Sequence, residues 1–304
     1  PPGSGLSSSA CLEVLMVKIM ERLFDNPEID SVTVAKIGQY AENRYFGKPC
    51  GLMDQIACAA GGIVRIDFSD MERPHVKRLP IRMDDFGLDI VIVQTGGSHE
   101  HLTEEYAAVE REMKEVADLL SRSEEKGTDR HGPSVKAEST GQKPDLSSKT
   151  QSHRLRKFTQ QEFLSRLPHL RQQLSERALL RAWHFFEENL RVEAAQSFLA
   201  HHDTHGFLRT IIDSGSSSWM LCQNCYSSAA VSEQPITLSL KVSEHVLQGK
   251  GAWRVHGGGF AGTIQAFVPY HVVPTYTTKM ESLFGKGCCT TLDIREEGVL
   301  ELYI

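Results

Sequence analysis

Two glycine-bearing segments of the sequence hold side chains whose types and spacing suit work on an anion. Gly3, Ser4, Gly5, Leu6, Ser7, Ser8 and Ser9 run directly into an apolar-periodic stretch. Glycines admit a ligand close to the backbone and serine hydroxyls donate hydrogen bonds. A helix N-terminus adds unpaired N–H groups at the positive end of its dipole. That recipe suits a nucleotide phosphate. It is not a Walker A loop, because no Gly-Lys-Ser/Thr follows at the required spacing; a flexible Ser/Gly linker ending in an ordinary serine cap is the other reading. The second segment, Gly257-Gly258-Gly259-Phe260-Ala261-Gly262, fits G-x-G-x-x-G. A dinucleotide site is rejected, because that fingerprint must open a helix and Thr263–Val268 reads as a strand. Between them, Asp54 follows the Pro49–Gly51 turn in the first turn of a short predicted helix. There the dipole favours a carboxylate by ~0.3–1 kcal/mol when exposed.

Other constellations have plainer readings. Cys222 and Cys225 with Cys288 and Cys289 have zinc-like composition but no second ligand pair at finger spacing, so they read as incidental buried thiols. His201, His202 and His205 read as surface histidines, His99 and His101 carry no assignment, and Arg154–Lys157 reads as a solvated run.

The elements that must position these groups follow from periodicity. Leu12, Leu15, Met16, Ile19, Met20 and Leu23 recur at three- and four-residue steps, so Ser9–Phe24 is an amphipathic helix with those residues as its buried face. Helices are expected over Thr33–Arg44 and Leu52–Ala60, ended by Gly47-Lys48-Pro49 and Gly61-Gly62. Strands are expected at Ile63–Phe68, His75–Ile81 and Leu88–Thr95, then a helix over Thr103–Leu120 with Thr103 as N-cap. Ser121–Lys157 holds few aliphatics among Ser, Lys, Glu, Gly and Gln and reads as a mobile linker or surface insertion. Helical patterns return at Thr159–Leu167, Leu174–Leu199, Phe207–Tyr226, Thr237–Leu247 and Val272–Leu283, with strands at Cys289–Ile294 and Val299–Ile304. The class is α+β. The expected division is 1–120 and 158–304 as unlike domains joined through 121–157.

With 304 residues, 40% hydrophobic and 24% charged, the chain has enough apolar material for a sizeable core. No apolar run approaches the ~20 residues of a membrane-spanning helix. A net charge of −6 argues against broad nucleic-acid binding. Seven irregularly spaced cysteines point to a reducing cytoplasm, and Pro1 in place of Met suggests the remainder of a longer chain without a signal peptide.

Taken together, four segments resemble the galactokinases of the GHMP kinase superfamily. Ala41-Glu42-Asn43-Arg44-Tyr45-Phe46-Gly47-Lys48-Pro49-Cys50-Gly51-Leu52-Met53-Asp54-Gln55 is similar to the central galactokinase signature. Gly3–Ala10 resembles the superfamily's second motif and Val255–Gly262 its third. Gln94–His99 through Glu104-Glu105-Tyr106 resembles the segment that carries a sugar-contacting tyrosine. All four lie in family order.

The resemblance implies an incomplete ribosomal S5 domain 2-like N-terminal domain and a ferredoxin-like C-terminal domain. It implies phosphorylation of galactose by ATP at the anomeric hydroxyl, in a cytoplasmic monomer without nucleic-acid or membrane partners. It makes Asp54 the base. It makes Ser9 and Glu42 (12 residues before Asp54; 54 − 42) the ligands of Mg²⁺, and it makes Gly3, Ser4, Gly5, Leu6, Ser7, Ser8, Ser9, Gly258 and Gly259 the ATP-binding residues. It makes Gly51, Asp54 and Tyr106 the sugar contacts. By local sequence alone, Asp54 caps its helix, Glu42 is a solvated helix residue and Tyr106 is half-buried core. The family's first motif, with an arginine and a sugar-gripping cluster, is absent, so little turnover is expected of the chain by itself. The alternatives are a kinase for N-acetylgalactosamine or arabinose, and an inactive or non-catalytic sugar- and ATP-binding protein.

Overall fold

The computed structural model describes residues 6–25, 28–47, 50–97, 102–128 and 155–300. Helix α1 spans Ser8–Leu23, α2 Ser31–Arg44 and α3 Met53–Ala60. The hairpin β1 (Ile63–Asp67) and β2 (His75–Leu79) follows, then β3 (Leu88–Gly96) and α4 (Thr103–Thr128). After them come α5 (Gln160–Leu170), α6 (Glu176–Ala200), α7 (Thr204–Ser217), α8 (Pro235–Leu247), β4 (Ala252–Val255), β5 (Gly262–Pro269), α9 (Val273–Phe284) and β6 (Cys289–Leu292).

The chain forms two compact units interleaved in sequence: Pro1–His99, Arg191–Ser216 and Asn224–Ile304 in the first, Glu100–Leu190 and Ser217–Gln223 in the second. The first unit contains an antiparallel sheet in the order β4-β5-β3-β6. One of its strands, β3, comes from within residues 1–120 and three from the last third of the chain. Both faces of this sheet are buried, which is why Leu88–Gly96 reads as a nearly continuous apolar run. Val91 and Val93 pack with Ile236, Leu240, Tyr276 and Met280 of α8 and α9, while Leu88 and Ile90 pack with Leu199, Phe207 and Leu208.

A second layer in the same unit sets Ala35, Leu52 and Ile56 of the α2–α3 region against Ile66, Phe68 and Val76 of the β1–β2 region. In the second unit, Val116, Ala117 and Leu120 of α4 pack with Leu155, Phe158, Phe163, Leu170 and the α6 residues Ala178, Leu179 and Ala182. Glu112 in that unit is buried between two guanidinium groups. Arg181 lies at 2.9 Å and Arg177 makes a fork of bonds at 2.5–3.2 Å.

Several expectations are corrected. Helix α1 does not bury its apolar stripe. Leu12 is 60% exposed and Leu23 72%, while Ala10 and Val14 on the other side are buried. The reason is that α1 packs on α2 and α3 through its small residues, and the stripe finds no comparable partner among the described residues. Leu102, not Thr103, occupies the N-cap of α4, its carbonyl accepting the first helical bond from Tyr106 N–H. Helix α4 runs on to Thr128, and Leu155 is fully buried, so order extends into both ends of the expected linker; its middle, 129–154, lies outside the described residues.

The helix expected over Phe207–Tyr226 stops early in a π turn at Ser218–Cys222. There Gln223 takes a left-handed conformation and Arg181 Nε donates to the Cys222 carbonyl. Strand β4 was not expected; it is four residues long and owes its conformation to pairing with β5. No strand forms at 299–300. The chain bends there, with Gly298 so close to α3 that a Cβ would lie 2.2 Å from the Ala59 carbonyl oxygen.

Candidate functional site

Ser7 is the N-cap of α1 and adopts φ 49° and ψ 51°, a left-handed conformation uncommon outside glycine. A serine cap ordinarily turns its hydroxyl back onto the helix's free N–H groups. Ser7 instead donates its hydroxyl to Asp54 Oδ2 on α3 and makes no side-chain cap bond. No acidic side chain sits in the first turn of α1. The amides at this helix start are thus left to an incoming anion, which the dipole also favours.

Two residues on, Ser9 Oγ donates to Glu42 Oε1 at 3.0 Å. Glu42 is only 3% exposed, although its helix face would ordinarily be solvated. A buried carboxylate needs donors. Besides Ser9, Glu42 Oε2 accepts from Gln55 Nε2 at 3.1 Å, and the Cys50 side chain borders it. Burial and the neighbouring Glu42 carboxylate push the Cys50 thiol up to about 12, so it stays protonated. The turn between α2 and α3 is pinned from α2: Cys50 N–H donates to Asn43 Oδ1 at 2.8 Å, and Gln39 Nε2 donates to the Cys50 carbonyl at 3.1 Å. Leu52 and Ile56 anchor α3 in the core, leaving Asp54 half-buried on its first turn.

Of the residues singled out from the sequence, the fold therefore brings together Ser7, Ser9, Glu42 and Asp54. Leu6 and Ser8 are exposed on the same turn, and Gly51 is exposed beside α3 with open space around its Cα. Gly3, Ser4 and Gly5 lie outside the described residues, as do Ser98, His99 and His101. Gly258 and Gly259 occupy the β4–β5 turn of the same unit. That turn is clasped by Asn224, whose Nδ2 donates to the Gly258 carbonyl at 3.1 Å and whose own carbonyl accepts from Phe260 N–H at 2.5 Å. The Gly96–Gly97 segment lies beside it: Thr95 Oγ1 donates to the Gly262 carbonyl at 2.9 Å, and Gly97 abuts Ala261. Tyr106 belongs to α4 in the second unit, half-buried, with its hydroxyl pushed up by burial.

Sequence reasoning gave no role to Gln55, Cys50 or Glu13, which complete the surroundings of Glu42. Only the adjacency of Gln55 to Asp54 pointed that way. All seven cysteines are free, and among the described residues no group of three or more His, Cys, Asp or Glu could hold a metal ion. His201 Nδ1 donates to the Ser197 carbonyl at its own helix end, and His202 stacks on Phe86.

Residues 1–62 match the model of the GHMP kinases N terminal domain. A galactokinase of Lactobacillus helveticus is 40% identical over 99 residues, covering 33% of this chain and 25% of the relative. A galactokinase of Actinobacillus pleuropneumoniae is 28% identical over 269 residues, covering 88% of this chain and 59% of the relative. The chain thus spans about three fifths, or less, of the length of these curated relatives. The crystal structure of Lactococcus lactis galactokinase complexed with galactose superposes with a TM-score of 0.69 at 21% identity, over 99% of this chain and 69% of that one. The serine turn of α1, set against two acidic side chains, thus lies in a segment similar to the GHMP kinases N terminal domain, in a chain that shares its fold with Lactococcus lactis galactokinase and whose curated relatives named here are galactokinases.

Proposed function

We propose that the chain supplies the base, phosphate loop and metal ligands for phosphoryl transfer from ATP to the anomeric hydroxyl of galactose, giving galactose 1-phosphate and ADP. The observation that carries this reading is the double pairing of loop hydroxyls with carboxylates, Ser7 with Asp54 and Ser9 with Glu42. Asp54 Oδ2 already accepts a hydroxyl proton donor; a sugar hydroxyl in that place presents its proton to the same oxygen. As the proton passes to Asp54, the hydroxyl oxygen forms its bond to the γ-phosphorus and the bond to the bridging oxygen of ADP breaks. A base in this position contributes ~10²–10⁴-fold, the remainder coming from positioning and charge neutralisation. The free amides of α1, with Gly3, Ser4, Gly5, Leu6, Ser7 and Ser8, hold the phosphates, and Gly258 and Gly259 close on them. Gly51, beside Asp54, contacts the sugar.

Ser9 Oγ and Glu42 Oε1, two hard oxygen donors 3.0 Å apart, fit Mg²⁺, which takes one or two protein oxygens and fills its shell with water and phosphate. When bound there, the ion neutralises phosphate charge. The galactokinase relatives support galactose as the sugar, and free cysteines support a cytoplasmic protein; a monomer is expected in sedimentation.

The test is galactose-dependent ADP release with ³¹P NMR identification of the product. It uses the chain and a chimera that places the upstream segment of the Actinobacillus relative before it. In the chimera, Asp54→Asn is expected to cut kcat by at least ~10²-fold. Near-normal turnover removes Asp54 as base, and a kcat/KM for another sugar far above that for galactose reassigns the substrate.

A further inference from the structure

Beside the paired hydroxyls lies a buried amide that the phosphoryl-transfer reading does not use. Gln55 is 1% exposed, and its single Nε2 reaches two carboxylates, Glu42 Oε2 and Glu13 Oε2, each at 3.1 Å. Both partners are pure acceptors when ionised, so the amide must turn its NH₂ toward them. Its Oε1 is then left buried with no hydrogen-bond partner. A buried polar atom without a partner is costly, and the orientation persists because two charge-assisted bonds outweigh it. The backbone also makes room for this arrangement. Gly38 stands inside α2, where glycine costs ~0.5–1 kcal/mol relative to alanine. A Cβ there would lie 3.2 Å from Glu13 Cβ and 3.4 Å from both Gln55 Cγ and Glu13 Oε2.

We propose that Gln55 is a positioning residue for the metal carboxylate. Its amide holds Glu42 by Oε2 so that Oε1 faces Ser9, and it accommodates the second anion, Glu13, with its other N–H. This rests on the reading of Glu42 as an Mg²⁺ ligand. The groups facing Glu42 are Ser9 and Glu13 from α1, Gln55 from α3 and the Cys50 thiol from the turn before it. Among these, Gln55 sets which lone pairs remain for the ion.

The test follows Mn²⁺–AMP-PNP binding to the 304-residue chain by water proton relaxation, with circular dichroism to verify folding. Gln55→Met keeps the size and removes the amide. Its affinity for Mn²⁺–AMP-PNP is expected to fall ~10–100-fold, the usual loss when a hydrogen-bond partner of a metal ligand is removed. Binding of AMP-PNP without the metal, followed by equilibrium dialysis, is expected to stay within twofold of the parent. Gln55→Leu also removes the amide and is expected to show the same loss, giving a second reading if the Met variant folds poorly. A folded variant of either kind that binds Mn²⁺–AMP-PNP within twofold of the parent, or that loses metal-free AMP-PNP binding to the same extent, overturns the proposal. Glu42→Gln separates the two claims: unchanged binding in that variant refutes Glu42 as ligand, whereas lost binding there with normal binding in Gln55→Met refutes Gln55 alone.

Discussion

Gly259 and Gly257 stand two residues apart in one turn, both with positive φ (+84° and +67°), yet alanine should cost very different amounts at the two positions. At Gly257 nothing lies within 4 Å of an added Cβ, so alanine pays only for the left-handed backbone, about 1–2 kcal/mol. At Gly259 the Cβ would sit 2.1 Å from the Asn224 carbonyl oxygen and 2.8 Å from its Nδ2. Neither atom can yield freely, because that oxygen accepts the Phe260 N–H and that nitrogen donates to the Gly258 carbonyl. Backbone strain of ~1–2 kcal/mol combines with two weakened hydrogen bonds of ~0.5–1.5 kcal/mol each. The total for Gly259→Ala is about 2–5 kcal/mol, some 1–3 kcal/mol beyond Gly257→Ala. Urea unfolding followed by far-UV circular dichroism, with m-values compared across the variants, measures the difference. Equal costs at the two positions would refute the claim that Asn224 clasps this turn.

Three shorter expectations accompany it. Val14→Ala, at a fully buried site, is expected to cost about 2 kcal/mol, whereas Leu12→Ala, 60% exposed, should stay within ~0.5 kcal/mol; the reverse order in thermal melts would restore the apolar stripe of α1 as its packed face. Asp30 caps α2, and its carboxyl is held below its ordinary value first by the Thr33 hydroxyl and then by the Thr33 N–H. Its stabilisation is therefore present above the unfolded carboxylate range and lost as pH falls. The ~1 kcal/mol cost of Asp30→Ala at pH 7 should shrink below about pH 4, and a pH-independent difference in unfolding free energy would exclude the capping charge. Arg181→Met strips the buried Glu112 of one of its two guanidinium partners and frees the Cys222 carbonyl. The expected cost is ~3–5 kcal/mol, and a loss below ~1 kcal/mol in calorimetry would show that Arg177 suffices.

The helices and the sheet strand β3 were legible because each is governed by its own periodicity, caps or glycines. Ser31–Arg44 and Gln160–Leu170 begin where Asp30 and Thr159 bond to their first N–H groups, a local event that sequence records within a residue or two. The face of α1 was misread because periodicity identifies an apolar stripe but not what covers it. Here the small side chains Ala10 and Val14 allow the close approach to α2 and α3 instead. Strand β4 and the π turn at Ser218–Cys222 depend on partners distant in sequence, β5 in one case and Arg181 in the other. The pattern of the serine turn and Asp54 was visible, but the environment of Glu42 was not. A glutamate on a polar helix reads as solvated until Ser9, Cys50 and Gln55 are seen to enclose it.

The enclosure explains how a short serine turn can keep its shape without a ligand. Each of the three helices presents a site residue beside buried contacts: Ser9 next to Ala10 on α1, Glu42 on the helix that buries Val34 and Ala35, and Asp54 between Leu52 and Ile56. The bonds Ser7–Asp54, Ser9–Glu42 and Gln55–Glu42 then join the helices to one another through the very groups that would meet phosphate, metal and sugar. Substrates exchange for partners already in place instead of ordering a loose loop, which lowers the conformational cost of binding. The same economy has a consequence: removing either carboxylate also unties a helix from α1, so Asp54→Asn and Glu42→Gln, which keep a hydrogen-bonding acceptor, separate chemistry from architecture where alanine would mix them.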